Sequence, residues 1–479
     1  MGCKYRPITS PAPPATALGS VPARHRRFSL RWSAGALAGL LAASLAYVVF
    51  AQPPLLAASS GEHVARRTET PLWVAAQRRL ANPRASWPLW GATPARTRFV
   101  PSRLQPPFRE LYRVPGRALI EMPPVVAEGR LVFGTHAGTL HAVRAADGAP
   151  LWQIDLGGCI ASSPAAGPGV VYLGWAGPAP CRRGKDEKGG LAAVDARDGN
   201  VLWRFRTGNV ESSPLLVGDR LFFAAFRSRS DSTVYGLRLH PRRVAWTFRL
   251  PTKVASSPAL IGRTLFISAY DRRLYALDAF TGRLRWVSSA LPEHGPKRVL
   301  LGLRSLLRHA SWSEAGYYAT PAVAYGRIYL GSIDGIFSSF SARTGAHRWS
   351  RRLGGAVYGS AAVWNEAVYV GSSDGRFYAF DAQTGKTHWS RKLPGSILGS
   401  PTVTSGNVYI STLSRETFVL DARTGAERWA FPDGQYSPLV HDGQRAFLVG
   451  KGRIYAFVND VRLLTGPPGR TSADGAASE

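Results

Sequence analysis

The chain has 479 residues, 45% of them hydrophobic, which is ample for a large core. Its ten His and three Cys are spread along the chain and give no zinc-type ligand cluster. Lys and Arg outnumber Asp and Glu 60 to 30, giving a net charge of +30 carried mostly by scattered Arg. With no nucleic-acid module, this reads as solvated strand faces or attraction to an anionic surface, not as a specific nucleic-acid partner.

Residues 1–31 form a basic, Pro-rich tail with Arg24, Arg26, Arg27 and Arg31 just ahead of an uncharged apolar run, 32–51. A run of about 20 apolar residues spans a bilayer, and the basic flank is expected to stay cytoplasmic. The reading is a single-pass transmembrane helix at the cell membrane with the rest of the chain extracytoplasmic; a cleaved signal ending at Ala51 is the alternative. Residues 52–86 read as a tether.

From 87 to 458 the chain repeats. The best copies run Ala276 to Trp286, Ala379 to Trp389 and Val419 to Trp429, each with Asp, Thr and Gly at fixed offsets. Looser copies end at Trp152, Trp203, Trp246 and Trp349. A Ser-Pro-like step precedes each Trp, at Pro124, Pro164, Pro214, Pro258, Pro321, Ala361, Pro401 and Pro438. Ten residues beyond each lies the end of a strand-like run, so there are eight first halves and seven Trp-bearing second halves. Short strands punctuated by Ser-Asp-Gly and Thr-Gly turns give four strands per unit. Four-stranded units of about 40 residues predict an all-β, eight-bladed β-propeller. The eighth unit stops after Phe457, and Phe108 to Val114 is expected to supply its outer strand and close the ring.

These repeats resemble the pyrroloquinoline-quinone (PQQ)-type repeat family, whose pattern is Ala-x-Asp-x-x-Thr-Gly-x-x-x-Trp. Trp87-Pro-Leu-Trp-Gly91 with Arg96-Thr-Arg98 also resembles the family's lead-in. The resemblance implies that Trp152, Trp203, Trp246, Trp286, Trp349, Trp389 and Trp429 dock one blade on the next. It admits two functional classes: quinoprotein dehydrogenases and non-enzymatic propellers such as BamB of outer-membrane assembly. The dehydrogenases carry an adjacent Cys pair over PQQ, with Ca²⁺ held by carboxylate and amide oxygens; this chain has no adjacent Cys and no haem motif.

Cys159 and Cys181 fall in two connections at one end of the second unit, so a disulfide is plausible, against two free thiols. An insertion at 292–317 has an amphipathic basic pattern that suits a helix packed on the propeller or docked to a membrane or partner. Residues 459–479 are expected to be disordered. The position three before each Pro marker should ring the channel mouth, placing Glu121, Glu211, Tyr318, Tyr358 and Gln435 there as a candidate polar-ligand ring. Two Glu do not suffice for Ca²⁺, which takes six to eight oxygens, and no metal site is assigned. The functional reading is a non-catalytic binding or assembly scaffold without a cofactor, contacting protein or an anionic surface. The alternatives are a PQQ- and Ca²⁺-dependent dehydrogenase and a glycan or small-ligand sensor.

Overall fold

The computed structural model describes residues 87–179, 181, 189–289, 316–436 and 438–460. The 1–31 tail, the 32–51 apolar run, the 52–86 tether, the 292–315 part of the insertion and residues 461–479 lie outside the described residues.

The described chain forms eight four-stranded antiparallel sheets, each built from consecutive strands except the last. Blade 6 shows the plan, with strands Ala362–Trp364, Ala367–Gly371, Arg376–Asp381 and Thr387–Lys392. The second and third strands of each blade form the core, packing both faces against neighbouring blades and reading as continuous apolar runs such as Ala367-Val-Tyr-Val-Gly371. Outer strands alternate, as in Thr387–Lys392, because only one face meets the next blade. Innermost strands of consecutive blades pack side by side, and blade 1 meets blade 8.

The ring closes as expected. Phe108–Pro115 pairs antiparallel with Arg453–Asn459 and becomes the outer strand of blade 8. Bringing the two ends of the repeat region together leaves blade 8 without a free inner edge on that strand.

Two sequence markers acquire physical reasons. In Ser-Ser-Pro, the first Ser pins its own blade: Ser162 Oγ donates to Gly174 O and accepts from Gly174 N–H, and Ser212 does the same with Ala224. The second hydroxyl links blades. Ser163, Ser213, Ser257, Thr320 and Ser360 each donate a backbone N–H to the hydroxyl of the next blade, at 2.8 to 2.9 Å, ending on Ser400.

The docking residues follow the Asp-Ala and Thr-Gly turn. Asp381 Oδ1 accepts from the N–H groups of Gln383 and Thr384 and from the Thr384 hydroxyl, tightening the turn so that Gly385 takes φ 68°. A Cβ there would lie 2.5 Å from the Trp349 ring of the preceding blade, so this position requires Gly on two counts. Trp349 Nε1–H donates to Ala382 O at 3.2 Å, and Trp152, Trp246 and Trp389 make the same bond to Ala196, Ala279 and Ala422. Trp286 lies against Gly345 of the next blade. Blade 3 has no Thr-Gly turn, and there Arg242 covers Trp203 with its guanidinium 4.8 Å from the ring centre. Trp429 meets Phe108 of the closing strand edge-on at 5.4 Å.

Candidate functional site

The lead-in segment threads the inside of the ring. Trp87 pairs with Val126 of blade 1, and Pro88 O accepts from Ala166 of blade 2. Pro94, Ala95, Thr97 and Arg98 carbonyls then accept from Leu260, Val323, Val363 and Val403 in blades 4 to 7. These bonds cover the free edges of the innermost strands. Arg96 and Arg98 are fully buried. Arg96 donates to Pro258 O at 2.9 Å, to Trp90 O and, at longer range, to Ser213 O and Pro214 O of blade 3; Arg98 donates to Pro401 O at 2.5 Å. Both guanidiniums lie over Trp90, 5.5 and 5.1 Å from its ring centre. Burial pushes both down to about 9, the Arg98 charge adding to the effect on Arg96. The channel is therefore filled at this level.

Against Trp90 an open pocket remains at the mouth. Its lower wall is the hydroxyl ring, with Ser257, Thr320, Ser360 and Ser400. Its rim holds Glu121, Glu211, Tyr318 and Tyr358, four of the five residues the spacing places at the mouth. Gln435 does not line it. In blade 8 the Tyr436 backbone presses on Gly399, where a Cβ would collide with the Tyr436 carbonyl, and Tyr436 takes the wall position instead.

Tyr318 and Tyr358 meet edge to face, centroids 6.1 Å apart. Burial, with Glu121 and Glu211 adding to it, pushes the Tyr318 phenol well above its ordinary range, so it remains an O–H donor. Neither carboxylate is free: Glu121 Oε2 lies 2.5 Å from His136 Nε2, and Glu211 Oε2 lies 3.0 Å from Lys253 Nζ. Lys253 also sits over the Phe226 ring at 4.2 Å. The mouth thus offers aromatic faces, hydroxyls and two paired carboxylates, a surface for a small neutral polar group rather than a bare multivalent ion. Cys159 and Cys181 are joined in a disulfide beside the Glu121 corner, with Cα atoms 4.8 Å apart.

Several contributors carry no motif: Lys253, His136 and the docking residue Tyr112. For Tyr112 a signal exists, since in the pairing expected for the closing strand it stands opposite the Ala of Tyr-Ala-Phe, as Trp389 does.

Comparison with known proteins supports the repeat reading. The family model described as "Outer membrane protein assembly factor BamB" matches residues 62–229, 187–307 and 333–466. Over 177 residues the chain is 23% identical to the outer membrane protein assembly factor BamB of Nitrosomonas eutropha, covering 36% of this chain and 40% of the relative. Over 171 residues it is 29% identical to the serine/threonine-protein kinase AfsK of Streptomyces griseus, covering 33% of this chain and 20% of the kinase. The chain thus spans well under half the length of both relatives. The quinohemoprotein alcohol dehydrogenase of Comamonas testosteroni superposes with a TM-score of 0.63 at 14% identity, covering 85% of each chain, a likeness of fold alone.

Proposed function

Because this chain belongs to the family of the outer membrane protein assembly factor BamB, we propose that it works as a non-catalytic binding or assembly scaffold. In this reading it is held at the membrane by the 32–51 run, with the propeller on the extracytoplasmic side. It contacts protein or an anionic surface through its Arg-rich faces and binds no cofactor. The observation that carries the reading is the plugged channel. A dehydrogenase of this fold must seat a planar quinone, a Ca²⁺ ion and a substrate at the axis. Here the lead-in segment and Trp90 occupy the axis beneath the mouth. The two carboxylates that face Ca²⁺ chemistry are already paired to His136 and Lys253. Six to eight oxygens for Ca²⁺ are not assembled among the described residues of the mouth. The residues present do not fit PQQ with Ca²⁺.

The test is dye-linked dehydrogenase activity of the purified chain incubated with PQQ and Ca²⁺ and offered a panel of alcohols and sugars. The scaffold reading predicts no PQQ-dependent turnover. Turnover that is lost in Glu121→Gln or Glu211→Gln would replace it with the oxidoreductase reading.

The Tyr318–Tyr358 pair over the hydroxyl ring favours one second reading, a sensor that takes a sugar hydroxyl or similar small polar group at the mouth. Calorimetric titration with a glycan panel checks it. Binding by the native chain that disappears in Tyr358→Ala supports the sensor; heats identical in both reject it.

A further inference from the structure

The Glu121 corner of the mouth holds more than one carboxylate. A ring nitrogen of His136 and the sulfurs of Cys159 and Cys181 all lie within 4.8 Å of one another. Three segments distant in sequence converge here, which is why their spacing shows no metal motif. Cys159 is buried and fixed on both sides, its N–H donating to Gly177 O at 3.0 Å and its carbonyl accepting from Ala176 N–H at 2.8 Å. His136 is held at its backbone by Leu119 O and at Nε2 by Glu121.

Propeller architecture does not require an imidazole at that position. The backbone bond from His136 N–H to Leu119 O recurs in other blades as Tyr270 to Lys253, Ile333 to Gly316, Ser373 to Ala356 and Leu413 to Ser396. None of those four side chains is a strong metal ligand. The one that is stands opposite the cysteine pair, and a carboxylate orients it, the arrangement that fixes ring and tautomer in metal-binding histidines.

We propose that reduction of the disulfide turns this corner into a divalent metal site of the zinc type, with Cys159, Cys181 and His136 as ligands and Glu121 as a positioning residue. A dithiol reductant supplies the two electrons and becomes a cyclic disulfide. The S–S bond breaks to two thiols, which lose their protons to solvent as the thiolates bind the ion. Zinc–ligand distances of about 2.0 to 2.3 Å place tetrahedral ligand atoms roughly 3.3 to 3.8 Å apart, so the present geometry needs movements of about 1 Å. Three protein ligands leave the fourth tetrahedral position for water. Cys181 is then tied to Cys159 at the entry to blade 2 in both states, by a covalent bond when oxidised and by the ion when reduced, and the ion adds a link to His136 of blade 1.

The experiment uses the full chain carrying Cys3→Ser, which removes the third thiol. It is reduced without air, freed of reductant and titrated with Co²⁺ as a spectroscopic stand-in for zinc. The expected result is one equivalent bound, with thiolate-to-cobalt charge-transfer and tetrahedral absorption, and no such bands in the oxidised chain. His136→Ala should weaken binding at least tenfold in a reduced chain that still folds by circular dichroism. Alkylating both thiols of the folded, reduced chain should abolish the bands and needs no variant that risks misfolding. Absence of a thiolate band in the reduced chain, or equal affinity in His136→Ala, would overturn the proposal.

Discussion

Blades 6 and 8 reach the same four-stranded form by opposite routes. Blade 6 is one continuous stretch, 362–392, and its Trp389 stands opposite Ala379 in the ladder. Blade 8 joins 439–459 to a strand from the other end of the repeat region, and Tyr112 stands opposite Ala456. The docking contacts are the same in kind. Trp389 donates to Ala422 O and lies on Gly425, while Tyr112 donates to Ala145 O at 2.5 Å and lies on Gly148. The ladder, not chain continuity, fixes where a docking side chain must sit. The side chain itself is relaxed from indole to phenol at the seam.

The largest expected effect comes from removing the seam. Replacing 108–115 by a Gly/Ser linker unpairs the edge of Arg453–Asn459 and removes the buried Val114 side chain. The cooperative melt followed by circular dichroism should be lost or the chain should aggregate. A variant that melts like the native chain would show that closure is dispensable.

Docking aromatics come next. Trp389→Ala should lower stability by about 3 kcal/mol and Tyr112→Ala by about 2 kcal/mol, since both side chains are part-buried. Denaturant midpoints at constant m-value read both. A negligible loss at Tyr112 would separate the seam from the repeat.

The seam is also expected to be acid-sensitive. His441, on the innermost strand of blade 8, is fully buried against Trp87, and burial pushes its imidazole down to about 4. The unfolded chain therefore takes up this proton first, near pH 6.5, and the folded chain only near pH 4. Stability should fall as pH drops through that window, by about 2 to 3 kcal/mol at the lower end. Half-buried His141 in blade 1 is lowered too and adds with the same sign. The turn carboxylates Asp381 and Asp421 are held below their usual range, so their stabilisation is lost only as pH falls below the ordinary carboxylate value. Urea midpoints from pH 7 to 4.5 should flatten in His441→Gln; an unchanged slope would assign the dependence elsewhere.

The architecture was legible because it repeats. A Pro marker, a ten-residue step and a Trp recur in register, and the surplus of first halves over Trp strands pointed to Phe108 to Val114. What did not repeat was illegible. Arg96 and Arg98 serve carbonyls more than 100 residues away, and only the closed ring brings those carbonyls to one axis. Glu121 and Glu211 could be placed at the mouth from spacing, but their partners His136 and Lys253 come from loops whose side chains follow no pattern. Gln435 does not line the pocket, where its neighbour Tyr436 does.

The smallest effect isolates one turn. Asp381→Ala removes three hydrogen bonds at an exposed turn and should cost about 1 kcal/mol. The matching loss in blade 8 is zero by construction, because its last ladder has no such turn.

Closure itself is tested most directly by hydrogen exchange of the native full chain, read at peptides covering 108–115 and 387–392. A ring closed by its two ends predicts protection at 108–115 comparable to that of the continuous outer strand of blade 6. Exchange at 108–115 at the rate of free peptide would contradict it.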